Sequence, residues 1–135
     1  VKEKVKEKVK IVDKVVYKSF KDMPIWQNAI SVAEDIFKLT ENLPKKEDYG
    51  LTSQLRRAAL SISSNIAEAY GRHHISDKIN FYYFSRGSVT ETQSQLEYAN
   101  RVGYVDKDTS DILIKKLSQI YNDINKIIVT FRNKR

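Results

Sequence analysis

At 135 residues the chain has room for one domain with its own apolar core. Its 41% hydrophobic and 30% charged content is ordinary for a soluble globular protein, and the absence of cysteine excludes disulfide staples and thiolate metal sites. The formal net charge of +7 resides at the two ends, because residues 19–131 balance at 14 basic and 14 acidic side chains, which argues against a strongly basic folded surface.

Three regions follow from this distribution: a basic extension (1–18), a helical domain (19–131) and a basic tail (132–135). In the extension the repeat VKEKVKEKVK sets Lys2, Lys4, Lys6, Lys8, Lys10, Lys14 and Lys18 against Glu3, Glu7 and Asp13. It fits a helix through Val1, Val5 and Val9, and it fits the period-2 alternation of a strand equally well. It is too charged for a signal peptide, and no apolar run reaches the roughly 18–20 residues of a membrane span. A soluble, cytoplasmic protein is expected.

Four amphipathic segments come next. The first is expected to start near an Asp22 cap with Pro24 in its first turn, to bury Trp26, Ile30 (or Ala29), Ala33 and Phe37 (or Ile36), and to stop at Leu43-Pro44. The second runs from Leu51 through Leu55, Ala59 (or Ala58), Ile62 and Ile66 to Tyr70 (or Ala69), and ends at Gly71. The third begins after Ser76, sets Phe81, Phe84, Ser88, Glu91, Gln95 and Tyr98 on a shared side, and stops at Gly103. The fourth starts at Asp108, with Asp111 completing a capping box, and carries the stripe Leu113, Leu117 (or Ile114), Ile120, Ile124, Ile127 (or Ile128) and Phe131. Long helices with short connections predict an all-α, antiparallel up-down-up-down four-helix bundle with an N-terminal extension. Its first and last ends would then lie at one pole, where both basic tails emerge together.

Residues able to carry chemistry are few. His73 and His74 are adjacent in a linker, where two neighbouring side chains rarely converge on one ion, so no metal and no cofactor are expected. Ser61, Ser63 and Ser64 lack the strand-turn-helix context of a nucleophile elbow, and no phosphate-binding glycine loop occurs, so no catalytic residue is assigned. One row in the second segment stands out: Arg57, Ser61, Asn65, Glu68 and Arg72 recur along a single line beside the apolar stripe. It reads either as a solvated face or as a polar packing seam against Ser88, Glu91 and Gln95 of the third segment, with Arg57 and Glu68 each partnered from another helix. For nucleic acid, the better phosphate-binding candidates are Lys2, Lys4, Lys6, Lys8, Lys10, Lys14, Lys18, Arg132, Lys134 and Arg135. The same tails read equally as solubilising ends. Tyr82, Tyr83, Tyr98 and Tyr121 are candidate stacking platforms, although tyrosines at helical spacing more often sit in cores or interfaces.

GLTSQLRRAALSISSNIAEAYGR (Gly50–Arg72) followed by FYYFSRGSVTETQSQLE (Phe81–Glu97) resembles the four-helix bundle proteins encoded in bacterial 23S rRNA intervening sequences. Gly-Leu-x-x-Gln-x-Arg-Arg-Ala, Asn-Ile-Ala-Glu and Gly-Ser-x-x-Glu occur in that family's order, and the likeness covers about residues 20–131. More distantly, the chain is similar to the accessory variability determinant of diversity-generating retroelements. The resemblance implies a homopentamer without enzymatic activity, partnered by RNA or an RNA-handling protein. Arg57, Asn65, Glu68, Ser88 and Glu91 match the family's recurring polar positions, whereas Ala69 stands where the family usually has Gly.

Overall fold

The computed structural model describes residues 16–134. A turn of 3-10 helix at Phe20–Asp22 leads into α1 (Pro24–Thr40), and a second at Lys45–Glu47 leads into α2 (Leu51–Gly71). Helices α3 (Ile75–Arg101) and α4 (Lys107–Lys134) complete an antiparallel four-helix bundle in which α2 and α3 make the most extensive contact and α1 and α4 touch least. The described residues are helical or connecting throughout.

Local chemistry sets each boundary. Asp22 ends the 3-10 turn and does not cap α1; extended Met23 precedes the helix, and Pro24 fills a position whose N–H has no intrahelical partner. Before α2 the Glu47 carboxylate accepts from Leu51 N at 3.3 Å, which satisfies one free N–H of the first turn. At the other end of α2, Lys78 Nζ donates to the Ala69 and Tyr70 carbonyls at 3.1 and 3.3 Å. Burial lowers the pKa of this amine. Helix α3 stops at Gly103, whose φ of +88° is left-handed. Tyr104 N and Gly103 N then bond back to Ala99 O and Asn100 O at 2.8 and 3.0 Å, closing a Schellman turn.

The cap of α4 is Asp106 and not the expected Asp108. Its Oδ1 accepts from Thr109 N at 2.7 Å and its Oδ2 from the Thr109 hydroxyl at 2.9 Å. Asp111 lies one turn further on and pairs with Lys107 at 2.9 Å, so it has no capping role. Threonine at the third helical position supplies two donors to the cap, a pattern that a search for an acid at that position overlooks.

The core stripes of α2 and α4 are those expected, with Leu55, Ile62, Ile66, Leu117 and Ile124 fully buried. That of α3 is rotated relative to expectation, and that of α1 follows the expected alternatives Ala29 and Ile36. α1 buries Ile25, Ala29, Val32 and Ile36, leaving Trp26 half-buried and Phe37 exposed. α3 buries Ile79, Tyr82, Ser85, Val89, Thr92, Leu96 and Ala99, while Phe84, Glu91 and Tyr98 face solvent. Small residues at Ser85, Thr92 and Ala99 let α3 approach α2 closely, and their hydroxyls are satisfied by backbone. Ser85 Oγ donates across to Ile62 O at 2.8 Å and Thr92 Oγ1 donates to Ser88 O at 2.7 Å.

The two bonds from Thr109 hold the Asp106 carboxyl below the usual carboxylate range. A depressed carboxyl contributes stability that is present above its unfolded pKa and lost as pH falls through the lower folded value. Asp106→Ala should therefore lower the urea midpoint at neutral pH and shrink the loss of stability on acidification below about pH 4. Parallel acid profiles for variant and parent would contradict this.

Candidate nucleic-acid interface

The antiparallel order brings the start of α1, the end of α2, the start of α3 and the end of α4 to one pole. Contacts tie them there. Tyr70 Oη donates to Tyr17 O at 2.6 Å, Phe131 stacks on Tyr82 with centroids 5.9 Å apart, and Arg132 donates to the Tyr83 hydroxyl. Lys18, Arg132 and Lys134 are exposed at this pole, the latter two in the last turn of α4. Lys2, Lys4, Lys6, Lys8, Lys10, Lys14 and Arg135 lie outside the described residues, as does the conformation of the VKEK repeat.

The charge excess of the described residues sits at this pole. Lys18, Arg132 and Lys134 add to Lys21, Arg72, Lys78, Arg86 and Lys126, and together they outnumber Asp22, Glu68, Asp77 and Asp123. The opposite pole is balanced, with Lys38, Lys45, Lys46, Arg56, Arg57, Arg101 and Lys107 set against Glu41, Glu47, Asp48, Glu97, Asp106, Asp108 and Asp111. Polyanions are thus favoured at the end where Lys18 and the last turn of α4 lie.

The row along α2 divides into two kinds of residue. Ser61 and Ser88 share a hydrogen bond of 2.9 Å between α2 and α3, and Asn65 Nδ2 donates to Ser61 O and Oγ at 2.8 and 2.9 Å. These three side chains are half-buried. Arg57, Glu68, Arg72 and Glu91 are exposed, and the expected cross-helix pairing does not form. Glu68 pairs within its own helix with Arg72 at 3.2 Å, and Arg72 also lies 4.8 Å from the centroid of Phe81. Arg57 and Glu91 make no ion pair among the described residues; they project from the outer rims of the two helices, beyond the line of contact. Gln95 is half-buried, its Oε1 fully enclosed without a hydrogen bond.

Of the tyrosines, Tyr82 is in the core, where burial pushes its phenol pKa up, and Tyr98 is exposed. Tyr83 and Tyr121 flank Arg86, which sequence reasoning passed over. The Arg86 guanidinium lies 5.1 Å from the Tyr83 centroid and 5.9 Å from that of Tyr121, and it donates to Asn125 Oδ1 at 2.8 Å. Arg132 lies over the same Tyr83 ring at 5.4 Å. Neither arginine has a carboxylate within ion-pair distance among the described residues. The signal was available as Tyr83–Arg86 at i, i+3 and Tyr121–Asn125 at i, i+4, neighbouring positions on two helices.

The serines and histidines do not converge. Ser61 is held as described, Ser63 Oγ donates to Leu60 O at 3.0 Å, Ser64 is exposed, and His73 and His74 are exposed beyond the end of α2. Among the described residues no three His, Cys, Asp or Glu side chains are grouped to hold a metal ion, and no helix is long and apolar enough to cross a membrane.

These features define an all-α bundle with one cationic, tyrosine-bearing pole. Residues 21–126 match the profile of the 23S rRNA-intervening sequence protein family, and the chain belongs to that family. No curated protein matches it. Among solved structures it is similar to a protein of unknown function from the S23 ribosomal protein family of Bacteroides thetaiotaomicron. The TM-score is 0.72 at 23% identity, over 77% of this chain and 97% of that one, a likeness that bears on the fold.

The seam geometry separates two substitutions. Asn65→Ala should cost about 1 kcal/mol in urea unfolding, the worth of a part-buried hydrogen-bonded amide. Glu68→Ala should stay within about 0.5 kcal/mol, as expected for an exposed pair within one helix. A larger loss at Glu68 than at Asn65 would contradict the assignment.

Proposed function

We propose that the protein is a non-enzymatic, oligomeric helical bundle that associates with RNA or an RNA-handling partner, gripping phosphate mainly through its basic ends. Family membership is the observation that carries this reading. The axial asymmetry supports it, since the described parts of both chain ends meet at the cationic pole. The more distant likeness to retroelement accessory proteins favours an adaptor role, and fold alone does not fix that role. Exposed Leu60, Phe84 and Tyr98 supply apolar surface for self-association, in keeping with the homopentamer that the family resemblance implies. Assembly would multiply the basic ends and strengthen attraction to phosphate at low salt. Those same apolar side chains also favour a second reading, a protein-interaction scaffold whose tails serve only solubility.

The two readings separate in one titration. Labelled single-stranded RNA should bind the full-length chain with an affinity that falls steeply with salt, by about 0.7 in log-log slope per phosphate contact. Replacing Lys2, Lys4, Lys6, Lys8, Lys10 and Lys14 by Gln should remove most of that binding. Undiminished binding by the neutralised chain would overturn the tail mechanism, and negligible binding by the parent near 0.15 M salt would favour the scaffold.

A further inference from the structure

Resting on the RNA reading, we propose that the folded body carries its own contact for a single-stranded RNA segment: the patch formed by Arg86, Arg132, Tyr83 and Tyr121 across α3 and α4. Electrostatics supply the first reason. Two guanidinium groups lie within 5.5 Å of one ring centroid, that of Tyr83, with no carboxylate in ion-pair range of either among the described residues. Like charges held this close raise each other's energy, and an anion between or beside them lowers it. Of the other arginines, Arg72 pairs with Glu68 at 3.2 Å and Arg101 with Glu97 at 3.0 Å, whereas Arg56 and Arg57 stand apart on other faces without an ion pair among the described residues.

Hydrogen-bond capacity supplies the second reason. A guanidinium has five N–H donors, and Arg86 uses one on Asn125 Oδ1. An arginine serving only to tie α3 to α4 would find more acceptors at the junction, as Arg56 does between α1 and α2. That side chain is held by Thr40 Oγ1 at 2.7 Å, by Phe37 O at 3.3 Å and over the Phe37 ring. Planar fork donors left free suit phosphate oxygens.

The aromatic component narrows the ligand. Tyr83 and Tyr121 are half-buried, so each ring is fixed by packing while retaining accessible surface. Rigid rings beside guanidinium planes take an unstacked base, and an A-form duplex does not present its bases in that way. Arg132 lies three residues before the basic C-terminus, so a strand held by the tails reaches the patch directly. Phosphates on Arg86 and Arg132 with a base beside Tyr121 therefore describe single-stranded RNA.

Fluorescence anisotropy of a labelled oligouridine 12-mer with the full-length chain tests this, with thermal melting run on every variant. Arg132→Gln, at the exposed edge of the patch, should weaken binding about tenfold at low salt and reduce the salt slope by about 0.7. Tyr121→Leu should weaken it about fivefold or more while leaving the slope unchanged. Arg86→Gln should behave as Arg132→Gln does, and because Arg86 also packs, Arg132→Gln decides if that variant melts early. Parent-like affinity and slope in folded Arg132→Gln and Tyr121→Leu, with binding lost when the N-terminal lysines are neutralised, would overturn the patch and leave the tails as sole carriers. A parent that binds no RNA would overturn the RNA reading and the patch with it. Displacement by inorganic polyphosphate at equal phosphate concentration, with Tyr121→Leu neutral, would overturn the base contact in favour of a general anion site.

Discussion

The contact between α2 and α3 governs the rest of the structure. These helices make the most extensive contact in the bundle, and both bury small residues: Ala58, Ala59 and Ala69 on one, Ser85, Thr92 and Ala99 on the other. Small side chains alone do not fix a register, and two hydroxyl contacts between the helices do. Ser85 reaches the Ile62 carbonyl and Ser61 meets Ser88, two specific bonds in the middle of the junction, with Lys78 bonding to the Ala69 and Tyr70 carbonyls at its end. A shift of either helix by one residue would break both and leave the buried Ser85 hydroxyl without its acceptor, at a cost of about 1–3 kcal/mol.

That register determines where the charges end up. With α2 and α3 locked antiparallel, α1 and α4 can only return along the outside, and the start of α1 and the end of α4 meet at a single pole. The charge neutrality of residues 19–131 is thus compatible with a polarised molecule, because Lys18, Arg132 and Lys134 add their charge at one end while the other end stays balanced. Function in this fold is best sought in the distribution of charge along the bundle axis. No grouped metal ligands among the described residues compete with it.

How much of this was legible in the sequence depends on residue size. The stripes of α2 and α4 consist of large aliphatic residues such as Leu55, Ile62, Leu117 and Ile124, and periodicity identified them. In α1 and α3 several large apolar residues, Phe37, Phe84 and Tyr98, face outward, while Ala29, Ser85 and Thr92 occupy the core. Weighting by hydrophobicity therefore turned α3 toward the wrong face and left α1 with two alternatives, of which Ala29 and Ile36 are the buried ones. Both readings of the row along α2 hold in part: Ser61 and Asn65 bond at the edge of the junction with α3, whereas Arg57 and Glu68 are exposed. Arg86 escaped notice because its acceptor Asn125 is 39 residues away on another helix. A pairing of that kind exists only once the register is known.

Photochemical crosslinking of single-stranded RNA to the full-length protein, with the modified peptides mapped by mass spectrometry, tests the polarity of the molecule most directly. Crosslinks are expected at the cationic pole, in the N-terminal lysines, at Tyr83 and Tyr121, and in the last turn of α4. Crosslinks concentrated at Lys45, Lys46, Tyr49 or Arg101, at the opposite end of the bundle, would contradict the account.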